Sequence, residues 1–171
     1  MRNSALFSSG CQQEINRLEQ EMDIFKRIFI DKKADYYLEK FSRLEKKKLP
    51  LSWNWPAFFL GFYWAFYRKL YFLGAVTLIV STIASMNITI FIIVQAIASI
   101  VFGVFGNFFY YLKLEDEIGK LRFMEGIERD LYINKAGGTN IKLPLIIMGV
   151  TLIFTTVALL LELISQIISM L

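Results

Sequence analysis

Between Trp53 and Phe72 the chain reads WNWPAFFLGFYWAFYRKLYF, and eleven of these twenty residues are aromatic. All three tryptophans, Trp53, Trp55 and Trp64, lie in the stretch. Aromatic rings gather where one side of a segment is apolar and the other wet, which is the level of lipid headgroups. The stretch therefore places the chain at a membrane surface, and the apolar runs beyond it take the chain through.

Those runs are residues 70–86, 88–112 and 143–171, and they bring the apolar share of the 171 residues to 56%. Each is near or above the roughly 17–20 residues that a helix needs to span a bilayer. No signal peptide is expected, because Met1 to Cys11 hold no apolar core and the first long run starts far downstream. All nineteen Lys and Arg lie before residue 50, at Arg68 and Lys69, or from Lys113 to Lys142. If the first run goes out, the second returns and the third goes out again, every positive charge is cytoplasmic, as the positive-inside rule requires. The expected fold is an all-α membrane protein with three transmembrane helices, the N-terminus in the cytoplasm and the C-terminus outside.

Five regions follow from this reading. Residues 1–49 form a cytoplasmic helical region and 50–69 an aromatic helix that is interfacial or re-entrant. Residues 70–112 form a transmembrane hairpin, 113–142 a cytoplasmic helix and GG loop, and 143–171 a third transmembrane helix. In the first region Met1 to Gly10 are expected to fray. Beyond them Ile15, Leu18, Met22, Phe25 and Phe29 recur in steps of three and four, one stripe of an amphipathic helix. The stripe either packs on a second helix carrying Tyr37, Phe41 and Leu44, or makes a short coiled coil with a copy or a partner. Two heptads are too few for a coiled-coil assignment, so packing on the chain itself is preferred.

Pro50 and Pro56 bracket the entry to the aromatic region, where Ser52 or Asn54 can cap a helix. A helix over 54–67 rises roughly 21 Å, short of the roughly 30 Å hydrocarbon core, so it should lie in the interface or dip and return. Ala57, Gly61 and Ala65 make a groove of small side chains that lets another helix approach. Trp53, Trp55, Trp64, Arg68 and Lys69 are the expected interface anchors, the two cations snorkelling to water.

The hairpin turns at Asn87. Asn87-Ile88-Thr89 matches a glycosylation acceptor pattern, which in so tight a turn is read as chance. Ala96, Ser99, Gly103, Gly106 and Asn107 fall near one face and are read as helix packing, with Asn107 bonded to a neighbouring helix. Residues 113–132 are expected as one charged helix with Leu114, Ile118, Leu121, Met124, Ile127 and Leu131 on one side. Gly137-Gly138 ends it, and Thr139 or Asn140 caps the last helix, with Pro144 in its first turn. That helix, roughly 42 Å long, must tilt or protrude.

Glu162 is the one ionisable side chain inside the last apolar run. Thr151, Thr155, Glu162, Ser165, Gln166 and Ser169 fall near one face. An intramembrane carboxylate is a functional candidate by default. Nine residues from the chain end, it is read first as an interfacial or helix-packing group.

Catalytic chemistry is not expected. There is no histidine, hence no Ser-His-Asp or Cys-His set, and Cys11 is the only cysteine. No phosphate loop, cofactor site or metal site is expected. Glu115, Asp116 and Glu117 sit among lysines and read as surface. The net charge of +4, with acids mixed among the bases, is too weak for nucleic acid. It fits a surface beside anionic lipid, Glu45-Lys46-Lys47-Lys48 included.

Three patches carry a resemblance. Tyr36-Tyr37-Leu38-Glu39-Lys40-Phe41 leads into Ser52-Trp53-Asn54-Trp55-Pro56-Ala57-Phe58-Phe59. Trp64 is followed by Tyr67-Arg68-Lys69-Leu70-Tyr71, and Gly103-Val104-Phe105-Gly106-Asn107 by Tyr110; Gly137-Gly138-Thr139 also fits. The chain resembles a family of small bacterial inner-membrane proteins of unknown function over residues 29–140, departing mildly at Leu70, where members often have Met. The resemblance implies a compartment and a topology, and no activity. Two functions are compatible with it. One is a non-enzymatic membrane subunit, adaptor or assembly factor, with membrane lipid around it and a protein partner or second copy held through the transmembrane helices and residues 12–48. The other is a small oligomeric transporter or channel component using the Glu162 face.

Overall fold

The computed structural model describes residues 2–46, 51–121, 123–124 and 126–170, with side chains from residue 12 onward. Lys47, Lys48 and Pro50, expected at the entry to the aromatic region, and the terminal Leu171 lie outside the described residues. Among those residues the chain is all-helical and no strand occurs. The helices are α1 (Arg2–Ile30), α2 (Ala34–Lys46), α3 (Trp55–Leu60), α4 (Phe62–Tyr67), α5 (Tyr71–Ala84), α6 (Ile88–Leu121), α7 (Gly126–Ala136) and α8 (Lys142–Met170).

The core lies at the charged end. Phe25, Phe29 and Ile30 of α1 pack with Tyr37, Phe41 and Leu44 of α2. They meet Tyr110, Leu114, Ile118 and Leu121 of α6, with Ile133 of α7 and Trp64 and Ala65 of α4 closing the cluster. Tyr110 sits edge-on to Tyr37 at 5.1 Å and to Phe41 at 5.8 Å, the arrangement that ring quadrupoles favour. The stripe on α1 thus packs on its own chain at Phe25 and Phe29, while Ile15 and Leu18, 42% and 56% exposed, stand clear of it. The first ten residues, expected to fray, are helical from Arg2.

Two further helices are broken where one was expected. The aromatic stretch is interrupted at Gly61, which adopts φ +49° and ψ −122°. A side chain there would strain against its own adjoining peptide groups, whereas glycine enters this region freely. The charged helix expected over 113–132 is likewise two elements. α6 runs on to Leu121, and α7 starts at Gly126, itself at φ +53°. As a result Leu114, Ile118 and Leu121 are buried while Ile127 and Leu131 face outward.

Away from the charged end the side chains turn inside out. α5, the first part of α6 and α8 expose Ile79, Ile83, Ile93, Ile97, Leu152 and Phe154 among many others. Among the described residues α6 and α8 are the two helices long and apolar enough to cross a membrane, and α5, with 14 residues, is a shorter apolar helix. Of the most apolar window of α8 none is buried, and of that of α6 11%. The core helix of a soluble bundle would show the reverse, since isoleucine and leucine are among the residues most often buried.

Caps follow the sequence closely. Asn54 Oδ1 accepts from Ala57 N at 3.0 Å with Pro56 in the first turn of α3. Asn87 Oδ1 accepts from Thr89 N and Ile90 N at the start of α6. Asn140 Oδ1 accepts from Leu143 N at the start of α8. Each satisfies an amide that the first helical turn leaves unpaired.

Candidate interaction site at the charged end

The segment before α3 is fastened to α6 by backbone and side chains together. Ser52 N donates to Val104 O at 3.2 Å and Asn54 N to Gly103 O at 2.7 Å, each carbonyl lending its second lone pair. Asn54 Nδ2 donates to Asn107 Oδ1 at 2.8 Å. Asn107 Nδ2 donates to Ser52 Oγ at 3.0 Å and lies 3.3 Å from the carbonyls of Ser52 and Trp53. Both asparagines are fully buried. The approach needs glycine: a Cβ on Gly106 would lie 2.8 Å from Ala57 Cβ, and one on Gly103 3.1 Å from Phe58 and Trp53. Ala57 therefore meets Gly106, and Phe58 and Trp53 meet Gly103, on the part of α6 that carries Asn107. Asn107 bonds the strand-like entry to α3, not the helix expected.

Gly61 and Ala65 depart from that face. Ala65 is fully buried, but a Cβ on Gly61 would find nothing within 4 Å. Gly61 is required by its backbone angle, not by close packing. Ser99 is half-buried and shares a small recess with Gln95 and Tyr63. Among the expected anchors, Trp53 and Trp55 are exposed, whereas Trp64 is 2% exposed in the core. Arg68, expected to hold its charge in water, is 3% exposed. The contacts that bury Trp64 and Arg68 come from α1, α2 and α6, far away in sequence.

Arg68, Lys69 and Lys113 form one cationic joint, and backbone carbonyls hold it. Arg68 Nη1 and Nη2 donate to Ile30 O at 3.2 Å and Lys32 O at 3.1 Å, closing the end of α1. Its guanidinium lies over Tyr37 at 4.4 Å and Tyr110 at 5.1 Å, a cation against aromatic faces. Lys69 Nζ donates to Lys135 O at 3.0 Å and also to Gly137 O. Lys113 Nζ donates to Arg68 O at 3.2 Å and Lys69 O at 3.3 Å, the end of α4. Each cation thus sits at the negative end of a helix dipole. No ion pair joins any of the three to a carboxylate among the described residues.

Local backbone serves the joint. Leu70 N bonds Ala65 O at 2.8 Å and Lys69 N bonds Phe66 O at 3.0 Å, a Schellman ending of α4. Lys69 takes the left-handed position, φ +58°, usually given to glycine. Gly137 lies against α1 so closely that a Cβ would come 2.8 Å from Phe29 Cα, and Gly138 N donates to Phe29 O at 2.7 Å. One turn beyond Lys113, buried Glu117 accepts from Tyr132 Oη at 2.6 Å. That bond holds the Tyr132 hydroxyl above its usual pKa. Glu117, read from the sequence as surface, is buried against Tyr132, while Lys113 and Tyr110 were given no site role. The position of Lys113, directly after the apolar run, was the available signal.

Glu162 stands apart. It is exposed near the far end of α8, and no hydrogen bond or ion pair holds it among the described residues. α8 touches the rest of the chain chiefly at α4, where Tyr63 Oη and Thr151 Oγ1 are 3.3 Å apart. Among the described residues no group of three His, Cys, Asp or Glu is placed to hold a metal.

The fold and the joint define a helical protein with two helices fit to cross a membrane, clasped at one end by aromatic rings and cations. The chain belongs to the family described as Protein of unknown function (DUF2628), whose profile matches residues 16–115. The matched span takes in α1 from Asn16, α2, the aromatic segment, α5 and α6 as far as Glu115. No curated protein and no solved structure matches the chain.

Proposed function

We propose that the chain is a non-enzymatic integral membrane subunit, adaptor or assembly factor of a bacterial inner-membrane complex. In this reading α5, α6 and α8 each cross the bilayer, with the N-terminus cytoplasmic and the C-terminus outside. Support for the crossing of α5 is connective. Lys113 binds the carbonyls just before α5, so α5 starts level with the end of the apolar part of α6. A tight turn at Ser85-Met86-Asn87 joins its other end to the start of α6. Fourteen helical residues rise only about 21 Å, a mismatch that bilayer thinning accommodates. Orientation rests on the basic residues, all of which lie on one side of this arrangement.

The observation that carries the adaptor reading is the divided stripe of α1. Phe25 and Phe29 anchor the helix in the core, while Ile15 and Leu18 project on a stretch where residues 12–20 are all exposed. An apolar edge held out on a helix clear of the core is a surface for another helix. The test is co-purification in mild detergent of wild type and an Ile15→Asp, Leu18→Asp double variant. The expected result is loss of specific co-purifying proteins with the variant still folded. An unchanged set of partners would remove the basis for the proposal. Reporter fusions at residues 1, 125 and 171 test topology, and a cytoplasmic C-terminus would sink the three-crossing arrangement.

A further inference from the structure

An open groove of about 600 Å³ runs beside the cationic joint, between the start of α5 and α6. It is lined by apolar Phe72, Leu73, Phe109 and Leu112, by Lys69, Tyr71 and Lys113, and by Asp116 and Glu117. The chemistry is ordered along α6. Apolar residues come first, then a cation, then one turn later, about 5.4 Å on, two carboxylates. The same order describes a phospholipid with an amine headgroup: acyl chain, phosphate, ammonium.

We propose that this groove binds one glycerophospholipid with a primary ammonium headgroup. The phosphodiester lies at Lys69, Lys113 and Tyr71, the ammonium at Asp116, and an acyl chain along Phe72, Leu73, Phe109 and Leu112. Charge argues for both ends. Lys69 and Lys113 donate to carbonyls and to no carboxylate; Lys113 spends all three N–H on Arg68, Lys69 and Ala136, so it faces the phosphodiester as a charge and Lys69 and Tyr71 supply the hydrogen bonds. Lys69 uses two acceptors, leaving one N–H. Tyr71 Oη accepts from Asn140 Nδ2 at 3.2 Å, leaving its own hydrogen to donate. At the other end, the two carboxylates share one cation, Lys120, at 2.6 Å from Asp116 and 3.4 Å from Glu117. Asp116, 66% exposed, keeps room for a second cation there.

The inference rests on α6 crossing a membrane, as proposed above. The test uses the purified full chain in a neutral detergent, titrated with dihexanoyl phosphatidylethanolamine, phosphatidylcholine and phosphatidylglycerol and followed by native mass spectrometry. Ethanolamine lipid should bind about fivefold more tightly than the other two, the upper end of what an exposed ion pair contributes. The Asp116→Asn variant, altered at an exposed side chain, should lose that preference and keep its melting temperature. Equal binding of the three lipids, preference for glycerol lipid, or a preference that survives Asp116→Asn overturns the proposal. So does equally tight binding of glycerophosphoethanolamine, which has the headgroup and no acyl chain. A wrong crossing would appear in the reporter fusions, while a wrong groove leaves those fusions unchanged.

Discussion

Asn54 and Asn107, 53 positions apart, share a hydrogen bond of 2.8 Å with both side chains fully buried. The bond fixes the register of the aromatic segment on α6. Asn54 uses its oxygen to start α3 and its nitrogen to hold α6, so one side chain sets both where the helix begins and where it lies. Asn107 answers with one acceptor and a donor aimed at Ser52.

Asn107→Ala should destabilise the protein by about 1–3 kcal/mol, because it strands the Asn54 amide and the Ser52 groups away from water. Thermal unfolding in detergent measures this. The Asn54→Ala, Asn107→Ala double variant should lose much less than the sum of the single losses, since the two residues share partners. Strict additivity would mean that the pair is not coupled.

Gly61 and Gly106 should respond differently to size. At Gly61 the strain is in the backbone, so Gly61→Ala and Gly61→Leu should each cost about 1–2 kcal/mol with little between them. At Gly106 the first added carbon already collides with Ala57, so Gly106→Ala should cost about 1–3 kcal/mol by overpacking. Trimming nothing else, a Gly61→Leu variant far less stable than Gly61→Ala would show a packed surface there.

Arg68→Lys should lower stability by about 1–3 kcal/mol despite keeping the charge. Lysine offers no planar fork for the carbonyls of Ile30 and Lys32 and no flat face for Tyr37. Melting temperature and limited proteolysis near residues 30–34 are the readouts. A melting temperature equal to wild type would show that the guanidinium geometry is immaterial.

Glu162→Gln should leave insertion and stability unchanged. Glu162 lies twenty residues past Lys142, a rise of about 30 Å, which in the proposed arrangement puts it at the far boundary of a hydrocarbon core. Any effect should appear as weaker association with a partner, because polar contacts between membrane helices average about 0.6 kcal/mol. An ion flux in reconstituted vesicles, present in wild type and lost in Glu162→Gln with the assembly intact, would support a transporter instead.

Local chemistry made part of this structure readable in advance. Asn54 with Pro56 and Asn140 with Pro144 announce helix starts, and Gly103, Gly106 and Asn107 announce a close approach. Gly61 was misread because a glycine in a small-residue repeat and a glycine at a left-handed break look alike in sequence. Trp64 and Arg68 were placed at the water boundary because an aromatic-rich run ending in two cations has that composition. What buries them is the pairing of α1 with α2 over α6, contacts of long sequence separation that no local pattern encodes. The break before α7 has a local cause at Gly126, but a single glycine among charged helix formers is a faint mark.

Carbonyl oxygens, not carboxylates, receive the protons of Arg68, Lys69 and Lys113. A carboxylate partner would be neutralised as pH falls through roughly 4, and its ion pair would open. Peptide oxygens have no such titration. The fastening of α1, α4 and α7 to one another is therefore built from acid-indifferent parts.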